Sequence, residues 1–173
     1  MSVNEELEEH VHHAHEPFDK TVAGTMAIIA ALLAIVSVLG QHFNTEKLLN
    51  QQKSSDQWAY YQAKDIRRYA ALVAQDTLSQ MKSDPKAIDK YIQDGNRYKK
   101  QSAEIQDKAR DFEKERDKAG QRADYFHIGE VFLEVAIVLS SLCILMRVKS
   151  MFFGGVAAAL VGIVVSAAAF LTH

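Results

Sequence analysis

Three long apolar runs constrain this chain more than any other feature of its sequence. "TVAGTMAIIAALLAIVSVLG" (21–40) and "MFFGGVAAALVGIVVSAAAFL" (151–171) contain no charged residue. "FHIGEVFLEVAIVLSSLCILM" (126–146) has a similar length, although two glutamates interrupt it. Runs of roughly 20 apolar residues match the thickness of a bilayer and predict transmembrane helices. We therefore predict an all-α membrane protein that crosses the bilayer three times.

The charged residues concentrate in the block between the first two runs, residues 41–125. Near its midpoint "SDPK" (83–86) offers Ser83 or Asp84 as a helix N-cap, with Pro85 in the first turn. The block therefore predicts a long extramembrane antiparallel helical hairpin with its turn near 83–85. Each arm would reach about 60 Å, given the helical rise per residue.

Alternating spacings of three and four residues predict which faces of the two arms meet. In the return arm this pattern runs from Ile88 to Phe126 and is typical of a coiled coil. Its aromatic and aliphatic members include Tyr98, Ile105 and Phe112. The same spacing in the outgoing arm predicts a facing seam formed by Leu48, Ala59, Gln62, Ile66, Tyr69 and Val73.

A second stripe of the outgoing arm contains Trp58, Tyr61 and Leu72, about 100° around the helix from the first. In one interpretation Trp58 and Tyr61 pack within the hairpin or against a neighbouring copy, with their polar groups bonded to Gln62 or Asp65. The alternative is a platform for an anionic or aromatic ligand, in which basic residues surround the rings. Those basic residues are Lys64, Arg67 and Arg68.

Two motifs in the hairpin carry a resemblance to a known family. "SDQWAYYQAKDIR" (55–67) and the charged segment "ARDFEKERDKA" (109–119), followed by two apolar runs, resemble the bacterial family called domain of unknown function 4337. The resemblance implies a His- and Glu-rich tail, one crossing, a helical hairpin and two further crossings. It brings no established activity and no catalytic residue. The short "RVKS" (147–150) departs from the more basic run expected there, which bears on the topology alone.

The orientation follows from the only short loop between two spans, which carries Arg147 and Lys149. Because short basic loops remain cytoplasmic, we expect a multi-pass protein of the bacterial inner membrane with its N-terminus in the cytoplasm and its hairpin outside. Basic residues near the second span favour the opposite orientation, although long segments are translocated largely regardless of charge. Those residues are Arg116, Lys118 and Arg122.

The acidic tail, residues 1–20, contains four closely spaced histidines among its glutamates: His10, His12, His13 and His15. Imidazole and carboxylate groups suit zinc or nickel, so one hypothesis is weak binding of a divalent metal. The other is a solvated acidic tail, since no closed set of ligands at fixed spacing is present.

The second apolar run contains two acidic residues, Glu130 and Glu134. Glu130 lies about one turn inside the run, whereas Glu134 lies roughly 10 Å inside the hydrocarbon. A carboxyl group at that depth must be protonated, hydrogen-bonded across a helix contact, or exposed to a wet path. We expect Glu134 to meet its counterparts at an oligomer contact, with proton or cation passage as the alternative.

Small residues at four-residue spacing predict helix contacts within the membrane. In the third run these are Ala158, Gly162 and Ser166, and in the first run they are Ala23, Ala27 and Ala31.

The sequence excludes several functions. It contains no Ser-His-Asp set, no Gly-rich phosphate loop, no paired-Cys motif and no His-Glu-x-x-His helix, and its net charge of −2 gives no basis for nucleic-acid binding. We therefore expect a non-enzymatic homo-oligomeric structural or interaction module in the lipid bilayer, with no cofactor. The alternative is an ion or proton channel or transporter that uses Glu130 and Glu134, and that responds to metal through the His-rich tail. A membrane enzyme is the weakest of the three classes.

Overall fold

A computed structural model describes residues 17–171, which form three α-helices and no β-strand. Helix α1 spans Pro17–Gln80, α2 spans Pro85–Met146 and α3 spans Lys149–Ala168. Within the described residues the expectation of an all-α protein is therefore confirmed. Each helix contains a stretch that is long and apolar enough to cross a membrane.

The chain forms two compact units. The apolar unit contains residues 17–44 and 120–171, and the hairpin unit contains residues 45–119. Helices α1 and α2 each contribute to both units, whereas α3 belongs to the apolar unit alone.

The two arms of the hairpin unit are joined by a tight turn between Gln80 and Pro85. The backbone N–H of Ser83 donates to the carbonyl of Leu78, and Lys82 adopts a left-handed conformation with φ of 51°. This pattern is typical of a helix C-terminus that closes on itself. Asp84 then caps α2, because its Oδ1 accepts a hydrogen bond from the Lys86 N–H at 3.0 Å.

Phe126 belongs to the core of the apolar unit and is only 1% exposed. Its ring stacks on Phe43 of α1 at 5.6 Å and meets Phe170, beyond the end of α3, edge-on at 5.6 Å. Ile29, Leu133 and other aliphatic residues continue this core between the helices. The Phe126 ring therefore contacts both α1 and the segment that follows α3.

Helices α2 and α3 approach each other closely through glycine. A Cβ atom on Gly162 would lie 2.8 Å from the Gly129 carbonyl oxygen, and one on Gly155 would lie 3.0 Å from the Ala136 carbonyl oxygen. Real Cβ atoms essentially never come closer than 3.0 Å to another atom, and a contact at 3.0 Å is already tighter than most, so glycine favours this spacing at both positions. The buried face of α3 consists of Gly155, Ala159, Gly162 and Ser166.

The structure corrects the predicted small-residue faces. Gly162 and Ser166 are buried as expected, but Ala158 is only half-buried, because Ala159 takes the central position. On α1 the three alanines predicted to make contacts are exposed. The reason is that α1 packs through the larger Val22, Ile29 and Val36, which turns Ala23, Ala27 and Ala31 outward.

Candidate functional site

The return arm buries the face that its spacing predicts. Ile105 is 7% exposed, Ala109 and Ala119 are buried, and Tyr98 and Phe112 are half-buried. The other members of the predicted seam are likewise buried or half-buried. These positions therefore form the surface of α2 that faces the outgoing arm.

The outgoing arm faces α2 through a different set of residues from the one that its spacing predicts. Ile66 and Tyr69 are 68% and 55% exposed, and Gln62 is exposed as well. The contact face instead contains Trp58 and Tyr61, both half-buried, together with buried residues on either side of them. Those buried residues are Asn50, Ser54 and Ala71. The predicted seam is thus wrong by about one residue: the face of α1 that contacts α2 lies about one position earlier in the sequence.

Trp58 and Tyr61 belong to the hairpin interior. The Trp58 Nε1 donates a hydrogen bond to Glu113 Oε1 at 2.8 Å, and the Trp58 and Tyr61 rings meet edge-on at 5.6 Å. The indole partner is therefore Glu113 on the other arm, and not Gln62 or Asp65. Because the indole bonds to the other arm and the Tyr61 ring contacts the indole, their placement favours packing within the hairpin over a ligand platform.

The basic residues around these rings are also engaged within the hairpin. Lys64 Nζ lies 3.0 Å from Gln101 Oε1 and 5.2 Å and 5.7 Å from the ring centres of Tyr60 and Tyr98. Arg68 pairs with Asp65 at 3.3 Å and lies 4.9 Å from the Tyr69 ring centre. Of the three basic residues considered for a platform, only Arg67 is exposed.

The outward surfaces of the two arms differ in polarity. Tyr60 and Leu72 are among seven large hydrophobic residues exposed on α1 between residues 45 and 80, whereas Ile92 is the single one on α2 between residues 85 and 119.

We call the exposed set on α1 at alternating three- and four-residue spacing the α1 stripe. It consists of Ala59, Gln62, Ile66, Tyr69 and Val73. This stripe is uncharged, is apolar except at Gln62, and is not covered by α2.

A second unusual surface lies in the apolar unit. Glu134 and Ser141 are exposed on α2, and they share one helix face with Glu130 and His127. The side chain of Glu130 is 25% exposed, and its Oε2 lies 3.6 Å from the Nδ1 of His127. We call these four residues the α2 polar face. It points away from the core of the apolar unit, in which Leu133 and Ala136 are fully buried.

Beside this face is a shallow cleft of about 320 Å³ between α1 and α2, lined in part by Asn44, Asp124 and Glu130. Within residues 17–171, no group of three or more His, Cys, Asp or Glu side chains is arranged to hold a metal ion. The four histidines of the tail lie outside the described residues, so the weak metal hypothesis for them remains a prediction.

The structure defines a class of protein: an all-helical chain with a hairpin unit and three helices that each contain a stretch long and apolar enough to cross a membrane. Comparison with known families identifies the particular group. Residues 18–172 match the family described as domain of unknown function (DUF4337), so the chain belongs to this family. The expected family is thereby confirmed. No curated protein and no solved structure matches the chain.

Proposed function

We propose that this protein is a non-enzymatic integral protein of the bacterial inner membrane whose hairpins associate with those of further copies. Three helices anchor the chain, the hairpin lies outside the membrane, and the α1 stripe forms the contact between copies. The exposure of this uncharged stripe is the observation that carries the proposal.

The outer surface of the apolar unit supports its placement in a membrane. Ile28, Val38, Leu145, Leu160 and Val164 are all more than half exposed and are distributed over the three helices. An apolar surface that surrounds a helical bundle is unfavourable in water but matches the hydrocarbon of a bilayer.

The surface of the α1 stripe suits a second copy of the same chain. Copies anchored in one membrane have their hairpins on the same side of it, so their α1 arms can pack in parallel around a symmetry axis. Such a contact places like residues opposite each other, which is unfavourable for charges but favourable for Ile66, Tyr69 and Val73. The seven-residue spacing of Ile66 and Val73 also matches the repeat of a parallel helix pair.

The test introduces charge into the stripe. The double variant Ile66→Glu, Val73→Glu should lower the mass of the oligomer in mild detergent, as measured by light scattering coupled to size-exclusion chromatography. The matched control is Ala103→Glu, an exposed position on the outer surface of α2, which should leave the assembly unchanged. Far-UV circular dichroism should report the same helicity for all three proteins. An unchanged mass for the double variant would refute the stripe as the contact.

The outward direction of Glu134 favours a second candidate function, conduction of protons or cations. In an oligomer, an acidic residue at membrane depth could line a wet axis. Ion flux into liposomes under a proton or sodium gradient tests this alternative. Flux in the wild type that disappears in Glu134→Gln, with the oligomer intact, would favour the channel.

A further inference from the structure

We infer that the α2 polar face is a second contact between copies of this chain, in which the side chain of Glu134 bonds to the same face of a partner subunit. This inference rests on the membrane placement given under the proposed function. It concerns a different surface from the α1 stripe and can fail independently of it.

The first argument is the direction of the side chains. Glu134 and Ser141 are exposed, whereas Leu133 and Ser140, each one position earlier, are fully buried. Residues seven apart lie on one side of a helix, so Glu134 and Ser141 form a continuous outward line with Glu130. The three-helix core therefore does not enclose the carboxyl group that lies deepest in the apolar segment.

The second argument is the lack of a local partner. Buried Ser140 and Ser166 satisfy their hydroxyl groups by donating to carbonyls one turn earlier on their own helices, Ala136 and Gly162. Glu134 makes no hydrogen bond or ion pair with any residue that the structure describes. Its depth of about 10 Å also places it beyond easy reach of the interface. A carboxyl group in contact with lipid would thus be left unsatisfied, which is costly.

A second copy supplies what is missing. In a parallel α2 contact Glu134 meets Glu134 of the partner subunit, and a carboxylic acid group can both donate and accept a hydrogen bond. Ser141 adds a hydroxyl group that can do the same two turns further along. An apolar helix of another protein would offer neither group. The chemistry of the face therefore favours its own copy as the partner.

The experiment uses disulfide cross-linking of the full chain in liposomes. Ser141→Cys should form a dimer on oxidation, because the contact brings the two introduced thiols together. The native chain provides the background, since its single Cys143 is only 1% exposed. Val135→Cys is the matched control, because it is also exposed on α2 but lies about 100° around the helix from Glu134. It should show background cross-linking.

Two changes at Glu134 test the role of the carboxyl group. In the Ser141→Cys background, Glu134→Gln keeps both a donor and an acceptor and should retain cross-linking. Glu134→Leu removes them and should lower the dimer association constant about tenfold. Equal cross-linking by Gln and Leu would overturn the hydrogen-bonded contact.

A parallel measurement separates this contact from the hairpin contact. Tyr69→Cys should cross-link through the α1 stripe. If Tyr69→Cys cross-links and Ser141→Cys does not, the α2 contact is wrong while the hairpin contact stands. If Ser141→Cys cross-links and Tyr69→Cys does not, the hairpin contact is wrong while the α2 contact stands. Rapid reaction of the thiol of Ser141→Cys with a charged, water-soluble reagent would show that water reaches this face. That result would overturn a contact from which water is excluded and would indicate a wet path.

Discussion

Trp58 and Glu113 join the two arms of the hairpin: the indole Nε1 donates to the carboxylate Oε1 at 2.8 Å across 55 positions of sequence. The bond is partly buried, so water competes with it only in part. The Trp58 ring also meets the Tyr61 ring edge-on. This pair specifies which face of the outgoing arm contacts the return arm.

Replacement of Trp58 by Phe should destabilise the hairpin by about 1–3 kcal/mol, since the substitution removes the indole donor and leaves Glu113 without its partner. Glu113→Gln retains an acceptor oxygen and should have the smaller effect. Denaturation of the full chain in detergent, followed by far-UV circular dichroism, measures both. Equal stability of Trp58→Phe and the wild type would show that the bond contributes nothing.

The close approach of α2 and α3 predicts strong effects of alanine at two glycines. Gly129→Ala and Gly162→Ala each place a Cβ too near the backbone or side chain of the facing helix, so the helices must separate. We expect a loss of about 1–3 kcal/mol, typical of overpacking, visible as a lower melting temperature.

Gly24→Ala is the control for this pair, because a Cβ there meets nothing within 4 Å. It should leave the melting temperature unchanged or raise it slightly, since alanine favours helix more than glycine does. A comparable loss in Gly24→Ala would show that the effect is not one of packing between α2 and α3.

For Gly95 in the hairpin we expect substitution by alanine to raise stability, in contrast to the two glycines at the α2–α3 contact. It is buried, yet a Cβ there would lie 4.0 Å from Leu72 Cδ2, which is ordinary van der Waals contact. Gly95→Ala should therefore stabilise the hairpin by about 0.5–1 kcal/mol through its gain in helix propensity. A raised midpoint of chemical denaturation would confirm this, and a lowered one would show that the two arms are closer than described.

The proposed orientation predicts which loops are accessible from outside the cell. A cysteine at Asp84, in the exposed turn of the hairpin, should react with a membrane-impermeant thiol reagent in intact spheroplasts. A cysteine at Ser150, beside the loop that carries Arg147 and Lys149, should react only after lysis. The reverse pattern would invert the topology.

The return arm shows how much of the packing the sequence can predict. Its outward positions are mostly charged, so the apolar spacing from Ile88 to Phe126 leaves a single candidate face, and that face is buried. The family and the all-α fold were also predictable, from the motif around Trp58 and from the three apolar runs.

The outgoing arm shows where the prediction failed. Both stripes of α1 carry large apolar residues at helical spacing, so periodicity alone does not select the one that faces α2. Which stripe faces α2 depends on polar partners on the other arm, because Trp58 donates a hydrogen bond to Glu113 and Lys64 donates one to Gln101. Those pairs are separated by 55 and 37 positions and leave no local pattern. The same limit applies to Glu134, whose direction depends on where α1 and α3 pack.

The serines at the contact of α2 and α3 set a rule for how this surface can vary. Because Ser140 and Ser166 bond to their own helices, neither hydroxyl group needs a hydrogen-bond partner on the opposite helix. The contact therefore limits the volume of the side chain at these two positions and does not depend on its polarity. Among relatives of this chain, serine and alanine should exchange freely at these two positions, whereas valine or leucine should be absent. Glu134 should follow the opposite rule and exchange only with residues that keep a hydrogen-bonding group.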